Sequence, residues 1–117
     1  MAENPFASDV RQFILINIDS IAQLEALLLL CANPAENWEV AAVARRLYIS
    51  EQETSKLLAR LCDLGLTTIS GDDPLQYTYQ PASDDLARMV NRLADVYGKY
   101  LVPVTNLVHS KSEAKQP

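Results

Sequence analysis

The stretch Leu-Tyr-Ile-Ser-Glu-Gln-Glu at residues 47–53 separates two amphipathic segments, a short one over residues 40–47 and a longer one that ends at Gly65. Within it, Ser50 is followed three residues later by Glu53, which is the pattern of a capping box. The Ser50 hydroxyl can accept a hydrogen bond from the Glu53 backbone N–H, and the Glu53 carboxylate can reach back to the Ser50 N–H. The pattern therefore predicts two helices joined by a tight turn, with the second helix opening at Ser50.

Both flanking segments carry apolar residues at helical spacing. In the helix of about residues 39–47, the inward positions are Val40, Val43, Ala44 and Leu47. In the helix after Ser50 they are Leu57, Leu58, Leu61 and Leu64. Gly65 is a natural end for this second helix, because glycine adopts the left-handed conformation without steric cost. The two helices form a helix-turn-helix unit, and such units place their second helix in the DNA major groove.

Two further helices are predicted upstream. Ser8 can cap a short helix over residues 8–18, although the β-branched second half of that segment leaves a strand open as the alternative. Ser20 starts a second capping-box pattern at the head of a strongly apolar helix, which ends at Asn33-Pro34. Because this helix has almost no polar face, we expect it to be central and buried on most sides.

The periodicity changes after Gly65. Residues 66–70 and 75–79 are rich in β-forming residues, and Gly-Asp-Asp-Pro at residues 71–74 separates them. This pattern predicts a β-hairpin with a loop of about four residues, and Pro81 stops its second strand. Trp38, alone in a polar connection, is expected to contribute a short strand or to plug one end of the core.

A long helix is predicted over residues 83–109, followed by a polar, flexible tail over residues 110–117. Its apolar residues form a seam spaced alternately four and three residues apart. The seam consists of Leu86, Val90, Leu93, Tyr97, Tyr100, Val104 and Leu107. Pro103 is expected to kink or divide the helix. The seam could pack on the N-terminal helix or on a second chain; we expect a homodimer interface, because the distal half of the helix lacks an obvious partner within one subunit.

Composition indicates one globular domain over residues 1–117. The chain has 49% apolar and 21% charged residues and a net charge of −5, which argues against a nonspecific nucleic-acid binder but allows a local basic patch. Cys31 and Cys62 lie in apolar helical patterns and are expected to be buried small hydrophobic residues.

Other function classes lack the residues they need. The single histidine is His109, and no cysteine cluster or glycine-rich phosphate loop occurs, so we expect no metal, no cofactor and no enzyme activity. The longest apolar run, residues 26–32, is far too short to span a bilayer, and the N-terminus does not resemble a signal peptide. We therefore expect no membrane partner and a cytoplasmic location.

The order helix, helix, turn, helix and two-stranded hairpin, over residues 21–79, resembles the winged helix-turn-helix of bacterial transcriptional regulators of the MarR and PadR kind. Residues 43–50 resemble the turn region of that superfamily, and residues 61–66 resemble the L-x-x-x-G-L exit from its recognition helix. The resemblance implies a winged-helix core over residues 20–81 and a C-terminal dimerisation helix over residues 83–109. It also implies a DNA-binding regulator whose two subunits occupy adjacent major grooves.

The outer face of the predicted recognition helix, residues 50–64, suits a DNA groove. The candidate DNA-binding residues are Gln52, Ser55, Lys56 and Arg60 on this helix and Arg45 and Arg46 on the preceding one. Gln52 can pair with adenine, while Lys56 or Arg60 can pair with guanine or a phosphate. Ser55 is small enough to permit close approach to the groove.

Charge leaves a second interpretation open. Residues 39–66 hold four basic and four acidic side chains, and the hairpin loop carries Asp72 and Asp73 with no cation. The regulators that this chain resembles usually carry Arg or Lys in the wing, and an acidic loop repels phosphates instead. The alternative function is a winged-helix adaptor whose recognition helix or acidic wing docks a protein partner, with little or no DNA binding.

Overall fold

The computed structural model describes residues 6–72 and 74–114, the last three of them by their backbone alone. Helices and three short strands follow one another in the predicted order. They are α1 (Ser8–Asn17), α2 (Ile21–Ala32), β1 (Trp38–Glu39), α3 (Val40–Leu47), α4 (Glu51–Asp63), β2 (Thr67–Ser70), β3 (Gln76–Tyr79), α5 (Asp84–Lys99) and α6 (Leu101–Ala114). The predicted fold class, mainly helical with a small β-hairpin wing, is therefore confirmed.

The turn between α3 and α4 begins the second helix where the sequence predicts. The Ser50 hydroxyl accepts a hydrogen bond from the Glu53 N–H at 3.0 Å, and the Thr54 hydroxyl donates to the Ser50 carbonyl at 2.8 Å. Among the described residues the Glu53 carboxylate makes no bond back to the Ser50 N–H, so only half of the expected capping box forms. The cap still fixes the first turn of α4, because it satisfies an N–H that has no partner within the helix.

Tyr48 occupies this turn at a conformational cost. Its φ of 60° and ψ of 42° lie in the left-handed region, which a residue with a Cβ avoids by about 1–2 kcal/mol. The side chain is 93% exposed, so its packing against other residues offsets little of this free-energy cost. Tyr48→Gly is therefore expected to raise the free energy of unfolding by up to about 1 kcal/mol in urea denaturation.

The control for this prediction is Tyr48→Ala, which removes the ring but keeps the Cβ. It is expected to leave the free energy of unfolding almost unchanged. A Tyr48→Ala protein less stable than the wild type would show that the tyrosine ring stabilises the turn, and a Tyr48→Gly protein no more stable than Tyr48→Ala would contradict the prediction.

The starts of α1 and α2 differ from the sequence prediction in detail. Ser8 is the first residue of α1 and not its cap, because Ala7 takes the cap position without a side-chain bond. The second half of α1 is helical, so the strand alternative is wrong. At α2 the Ser20 hydroxyl accepts from the Gln23 N–H at 3.1 Å as predicted, but Gln23 Oε1 accepts from the Asp19 N–H at 2.7 Å instead of from Ser20. This bond ties Asp19 to the turn between the two helices.

The sheet is small and has β3 at its centre, antiparallel to β1 on one side and to β2 on the other. The β2–β3 hairpin forms the predicted wing, and Trp38 contributes the short strand β1. Gly65 has φ 78° and ends α4 as predicted, with the Leu66 N–H bonded to the Leu61 carbonyl at 3.0 Å. Asp73, half of the predicted acidic loop, lies outside the described residues.

The C-terminal segment departs most from the predicted architecture. Instead of one helix over residues 83–109, α5 ends at Lys99, and Tyr100 interrupts the helix with φ −129° and ψ 52°. Pro103 explains the break, because its ring would collide with the carbonyl of Lys99, four residues earlier. The prediction that Pro103 divides the helix is confirmed. The tail expected to begin at residue 110 is helical as far as Ala114, and residues 115–117 lie outside the described residues.

α6 packs against α1 and α5 of the same chain. Leu107 and Val108 are buried, and the Lys111 ammonium donates to the backbone carbonyls of Ile14 and Ile18 at the end of α1. The expectation that the distal half has no partner within the chain is therefore wrong. In the predicted dimer seam, the core residues are Val90, Leu93, Val104 and Leu107. The remaining seam residues, Leu86, Tyr97 and Tyr100, are partly exposed.

α2 is the central helix of the hydrophobic core, as predicted. Its fully buried apolar residues are Leu24, Ala26, Leu27 and Leu30. Cys31 and Cys62 are free thiols that are only partly buried, which corrects the expectation of full burial. Among the described residues no single helix is long and apolar enough to cross a membrane; α1 and α2 reach that length and composition only as a pair bent by 112°.

Candidate nucleic-acid interface

α4 turns one face to the core and the other to solvent. Its buried residues are Thr54, Leu57, Leu58 and Leu61. On the opposite side Gln52, Ser55, Lys56 and Ala59 are all exposed, and we call these four residues the α4 face. The structure thus brings three of the predicted DNA-binding residues onto one solvent-facing surface.

Lys56 is the cation at the centre of the α4 face. Its ammonium forms no ion pair with any described residue, although Glu53 and Arg60, one turn away on either side, line the same shallow groove. An anion that approaches Lys56 therefore displaces no internal salt bridge. This makes Lys56 the residue of α4 best placed to contact a phosphate or a guanine.

Arg60 is engaged within the protein. Its Nε lies 3.2 Å from Oδ2 of Asp19, which precedes α2, and the two side chains are 42% and 45% exposed. Arg60 lies on the groove wall that also carries Lys56. It is close enough to bind the same ligand as Lys56, but its ion pair with Asp19 must break first.

Arg45 and Arg46 lie side by side in the last turn of α3, and both are exposed. The guanidinium of Arg46 lies over the ring of Trp38, 5.6 Å from its centroid, in a cation–π contact. Arg45 has no ion pair in the described part of the chain and lines an open groove next to Tyr48. The two arginines therefore point to different neighbours, and Arg45 is the one beside the helix-turn-helix turn.

The wing offers no positive charge. No Lys or Arg occurs over residues 66–80, and Asp72 is exposed in the loop. Ile69 and Leu75, on either side of the loop, are exposed large apolar residues. This surface suits neither the phosphates nor the minor groove of DNA, because those sites attract cationic side chains.

The sequence did not point to two residues of this region. Asp19 is 41 residues away from Arg60, and neither periodicity nor any local motif indicates that they pair. Tyr48 belongs to the turn motif, but a left-handed backbone is signalled in a sequence by Gly or Asn, and tyrosine gives no such signal.

Polar contacts attach α5 to the helices beneath it. The Tyr97 hydroxyl donates to Glu25 Oε2 at 3.0 Å, and burial together with this bond raises the pKa of Tyr97 to about 12. Arg92 forms a two-pronged ion pair with Asp9 of α1, and its hydrogen bonds hold the pKa of the Asp9 carboxyl below the ordinary value. These contacts stabilise the position of α5 and leave the α4 face free.

A second exposed surface lies on α1 and α6. Its large apolar residues are Leu101 and Val102 at the start of α6, and we call it the α1–α6 surface; Ile16 is exposed separately, near the end of α1. At the start of these helices the rings of Phe6 and Tyr100 lie 6.3 Å apart. Exposed apolar residues on neighbouring elements are typical of surfaces that bind another protein.

Solved bacterial regulators share this architecture. A homodimeric winged helix-turn-helix DNA-binding domain of Mycobacterium bovis, Mb0332, matches with a TM-score of 0.57 and 23% identity over 86% of this chain and 94% of that one. The multiple antibiotic-resistance repressor of Listeria monocytogenes matches with a TM-score of 0.55 and 20% identity over 92% and 73%. A variant of Lactococcus lactis ZitR matches with a TM-score of 0.54 and 19% identity. This match covers 76% of this chain but only 60% of the ZitR chain.

The likeness to these proteins concerns the fold. No protein-family model matches the sequence, and no curated protein is significantly similar to it. The matched architecture nevertheless agrees with the elements described above, from the capped α4 to the β2–β3 hairpin. The chain has the winged helix-turn-helix fold, in which α4 stands where such folds have their second helix and the β2–β3 hairpin forms the wing.

Proposed function

We propose that this protein is a cytoplasmic, DNA-binding transcriptional regulator that acts as a homodimer. The observation that carries the proposal is the α4 face, on which Gln52, Ser55 and Lys56 are exposed on a helix whose other side is anchored in the core. A rigid helix with small and hydrogen-bonding side chains on its free face fits the major groove. The protein acts by occupying an operator and carries out no chemistry.

Each residue of the proposed interface has a distinct role. Gln52, in the first turn of α4, pairs with adenine, and Lys56 contacts a phosphate or guanine one turn later. Ser55 and Ala59 allow the helix to approach the bases closely. Arg45 contacts a phosphate from the end of α3, and Arg46 does so if its guanidinium keeps N–H groups free above Trp38.

The charge of the interface sets its salt dependence. Of the basic side chains in the proposed interface, Lys56 and Arg45 make neither an ion pair nor a cation–π contact with a described residue, whereas Arg60 and Arg46 are engaged. Four such cations in a dimer give a slope of log K against log salt of about −4. Binding is therefore expected to be weak at high salt and to depend on both subunits.

We propose the α1–α6 surface as the self-association surface. Four of the seven seam residues lie in the core of the chain, two on α5 and two on α6, so they cannot contact a partner without unpacking these helices. Leu101 and Val102 are exposed and apolar, and a surface of this kind can meet its own copy across a two-fold axis. Tyr100, partly exposed beside Leu101, continues the surface.

Val102→Asp is expected to convert a dimer to a monomer while each subunit stays folded. Val102 is 63% exposed in the first turn of α6, where a carboxylate interacts favourably with the helix dipole. In a two-fold interface, however, the new charges of both subunits face a desolvated apolar contact. Light scattering at micromolar concentration measures the change. A wild-type monomer, or a Val102→Asp dimer, contradicts the proposed surface.

The DNA-binding proposal is tested by selection from pooled double-stranded fragments at low and moderate salt. The wild type is expected to retain a subset of fragments at low salt and to lose most of them as salt rises. A retained set without any shared sequence would indicate electrostatic attraction alone. Failure to retain any fragment at low salt rejects the proposal.

A second candidate function is a winged-helix adaptor that docks a protein. Two observations favour it: Tyr48 is almost fully exposed beside an open groove lined by Ala41, Ala44 and Ile49, and the wing carries exposed apolar residues without cations. This alternative predicts that no fragment is retained at any salt concentration. The same selection therefore separates the two functions.

A further inference from the structure

Asp19 connects the recognition helix to the C-terminal helix through two cations. Its Oδ2 lies 3.2 Å from Nε of Arg60 on α4, and its Oδ1 lies 3.7 Å from Nζ of Lys111 on α6. The backbone of Asp19 is held in place by the bond from its N–H to Gln23 Oε1. One carboxylate in the α1–α2 turn thus contacts two helices that are distant in the sequence.

The Lys111 side of this arrangement is structural. Its side chain is only 12% exposed, and its ammonium donates to the carbonyls of Ile14, at 3.2 Å, and Ile18. These carbonyls lie at the C-terminal end of α1, where a cation is favourably placed. These two bonds do not use the Asp19 carboxylate, so we expect them to hold α6 on α1 when the charge of Asp19 is removed.

The Arg60 side is exchangeable. Both partners are partly exposed to water, and an exposed ion pair contributes at most about a fivefold change in an equilibrium constant. Arg60 also lies on the groove wall that carries Lys56, the proposed phosphate contact. A phosphate that reaches Lys56 therefore approaches a guanidinium already bound to a carboxylate.

We propose that Asp19 is a positioning residue that holds Arg60 in the free protein and competes with nucleic-acid phosphate for it. The inference rests on the proposed DNA-binding function and adds the residue that limits affinity. To contact DNA, Arg60 must exchange Asp19 for a phosphate, so part of the new interaction is offset by the lost ion pair. The wild-type protein consequently uses fewer cations on DNA than its sequence provides.

The test compares wild type and Asp19→Asn in equilibrium titrations with one selected DNA fragment over a range of salt concentrations. Asparagine keeps the size of the side chain while removing its charge. Fragments are first selected with each protein separately, and one of them is then titrated with both proteins. The affinity of Asp19→Asn is expected to rise about fivefold per subunit, because the competing ion pair is gone. The slope of log K against log salt is expected to steepen by up to about 0.9 per subunit, because Arg60 then also neutralises a phosphate in those complexes in which wild-type Arg60 stays on Asp19.

Two controls separate competition from general charge effects. Asp63→Asn removes the same charge from α4 three residues after Arg60, at a side chain that has no ion pair in the described structure. It is expected to change affinity far less than Asp19→Asn. In an Arg60→Gln background, Asp19→Asn is expected to have almost no effect, because the residue it releases is absent.

The outcomes distinguish this inference from the proposed function. If wild type binds DNA and Asp19→Asn binds with the same affinity and slope, the inference is wrong and the function stands. An equal gain in Asp63→Asn also overturns the inference. If neither protein binds DNA at low salt, the proposed function fails and the inference fails with it. DNA binding by Asp19→Asn alone supports the competition by Asp19 but rejects the proposed function of the wild type.

Discussion

Replacing Val104 by Asp is expected to destabilise the fold by about 3–5 kcal/mol, because it places an unpaired charge in the core. Val104 is fully buried where α6 packs against the rest of the same chain. A loss of this size is a large part of the 5–15 kcal/mol, roughly, by which domains are stable. The measurement is the free energy of unfolding in urea, with the smaller truncation Val104→Ala expected to lose about 1–2 kcal/mol.

The matched control is Val102→Asp, which introduces the same side chain two residues earlier on the same helix. Val102 is exposed on the subunit, so at a protein concentration low enough for the wild type to be monomeric its substitution is expected to leave the free energy of unfolding within about 0.5 kcal/mol of the wild type. The difference in unfolding free energy between Val104→Asp and Val102→Asp shows which of the two residues lies in the core of the subunit. A Val104→Asp protein that is a stable, folded monomer would show that Val104 belongs to a dimer interface and that α6 does not pack within its own chain.

Lys56→Glu is expected to weaken binding to a selected DNA fragment by roughly 10–100-fold per subunit. The substitution removes a charge-assisted contact, which is worth about 1.5–3 kcal/mol, and places a carboxylate against a phosphate. Lys56 is exposed on α4 and pairs with no described residue, so the fold is expected to be unaffected. Fluorescence anisotropy at low salt measures the loss of affinity, and circular dichroism checks that the protein is folded.

The control for this variant is Lys99→Glu, which makes the same change of charge on α5. Lys99 pairs with Asp95 on its own helix and lies outside the proposed interface. Its substitution is expected to change affinity only through the net charge of the protein. Equal losses in the two variants would mean that DNA responds to the overall charge and not to the α4 face.

Local signals in the sequence predicted the helix-turn-helix unit well. The Ser50 and Ser20 caps, the Gly65 stop and the hairpin all depend on residues within a few positions of one another, and all are found in the structure. Pro103 likewise indicated a division of the C-terminal helix. Short-range hydrogen bonds and backbone preferences determine such features, so one stretch of sequence contains them.

The packing of α6 could not be predicted in the same way. The seam of the C-terminal segment shows that one side is apolar, but the same spacing serves a second chain or a neighbouring helix. The break at Tyr100 decides between them, because it lets α6 leave the direction of α5 and pack against α1. The periodicity therefore indicates the apolar side of the segment correctly. The partner of Val104 and Leu107 depends instead on the packing of α6 against α1, about 90 residues earlier in the chain.

The candidate interface was predicted only in part, because some of its contacts join residues that are distant in the sequence. The exposure of Gln52, Ser55 and Lys56 follows from the helical period of α4. The engagement of Arg60 with Asp19 and of Arg46 with Trp38 depends on tertiary neighbours. Counting cations in the sequence therefore overstates the positive charge that this surface offers to DNA.

Whether α4 binds DNA is decided by the affinity of wild type and Lys56→Glu for one selected fragment over a series of salt concentrations. We expect a wild-type slope of log K against log salt of about −4 for the dimer, and a slope shallower by about 0.9 per subunit in Lys56→Glu. Tight binding by Lys56→Glu with the wild-type slope, or no wild-type binding at low salt, would contradict the claim that α4 of this protein binds DNA.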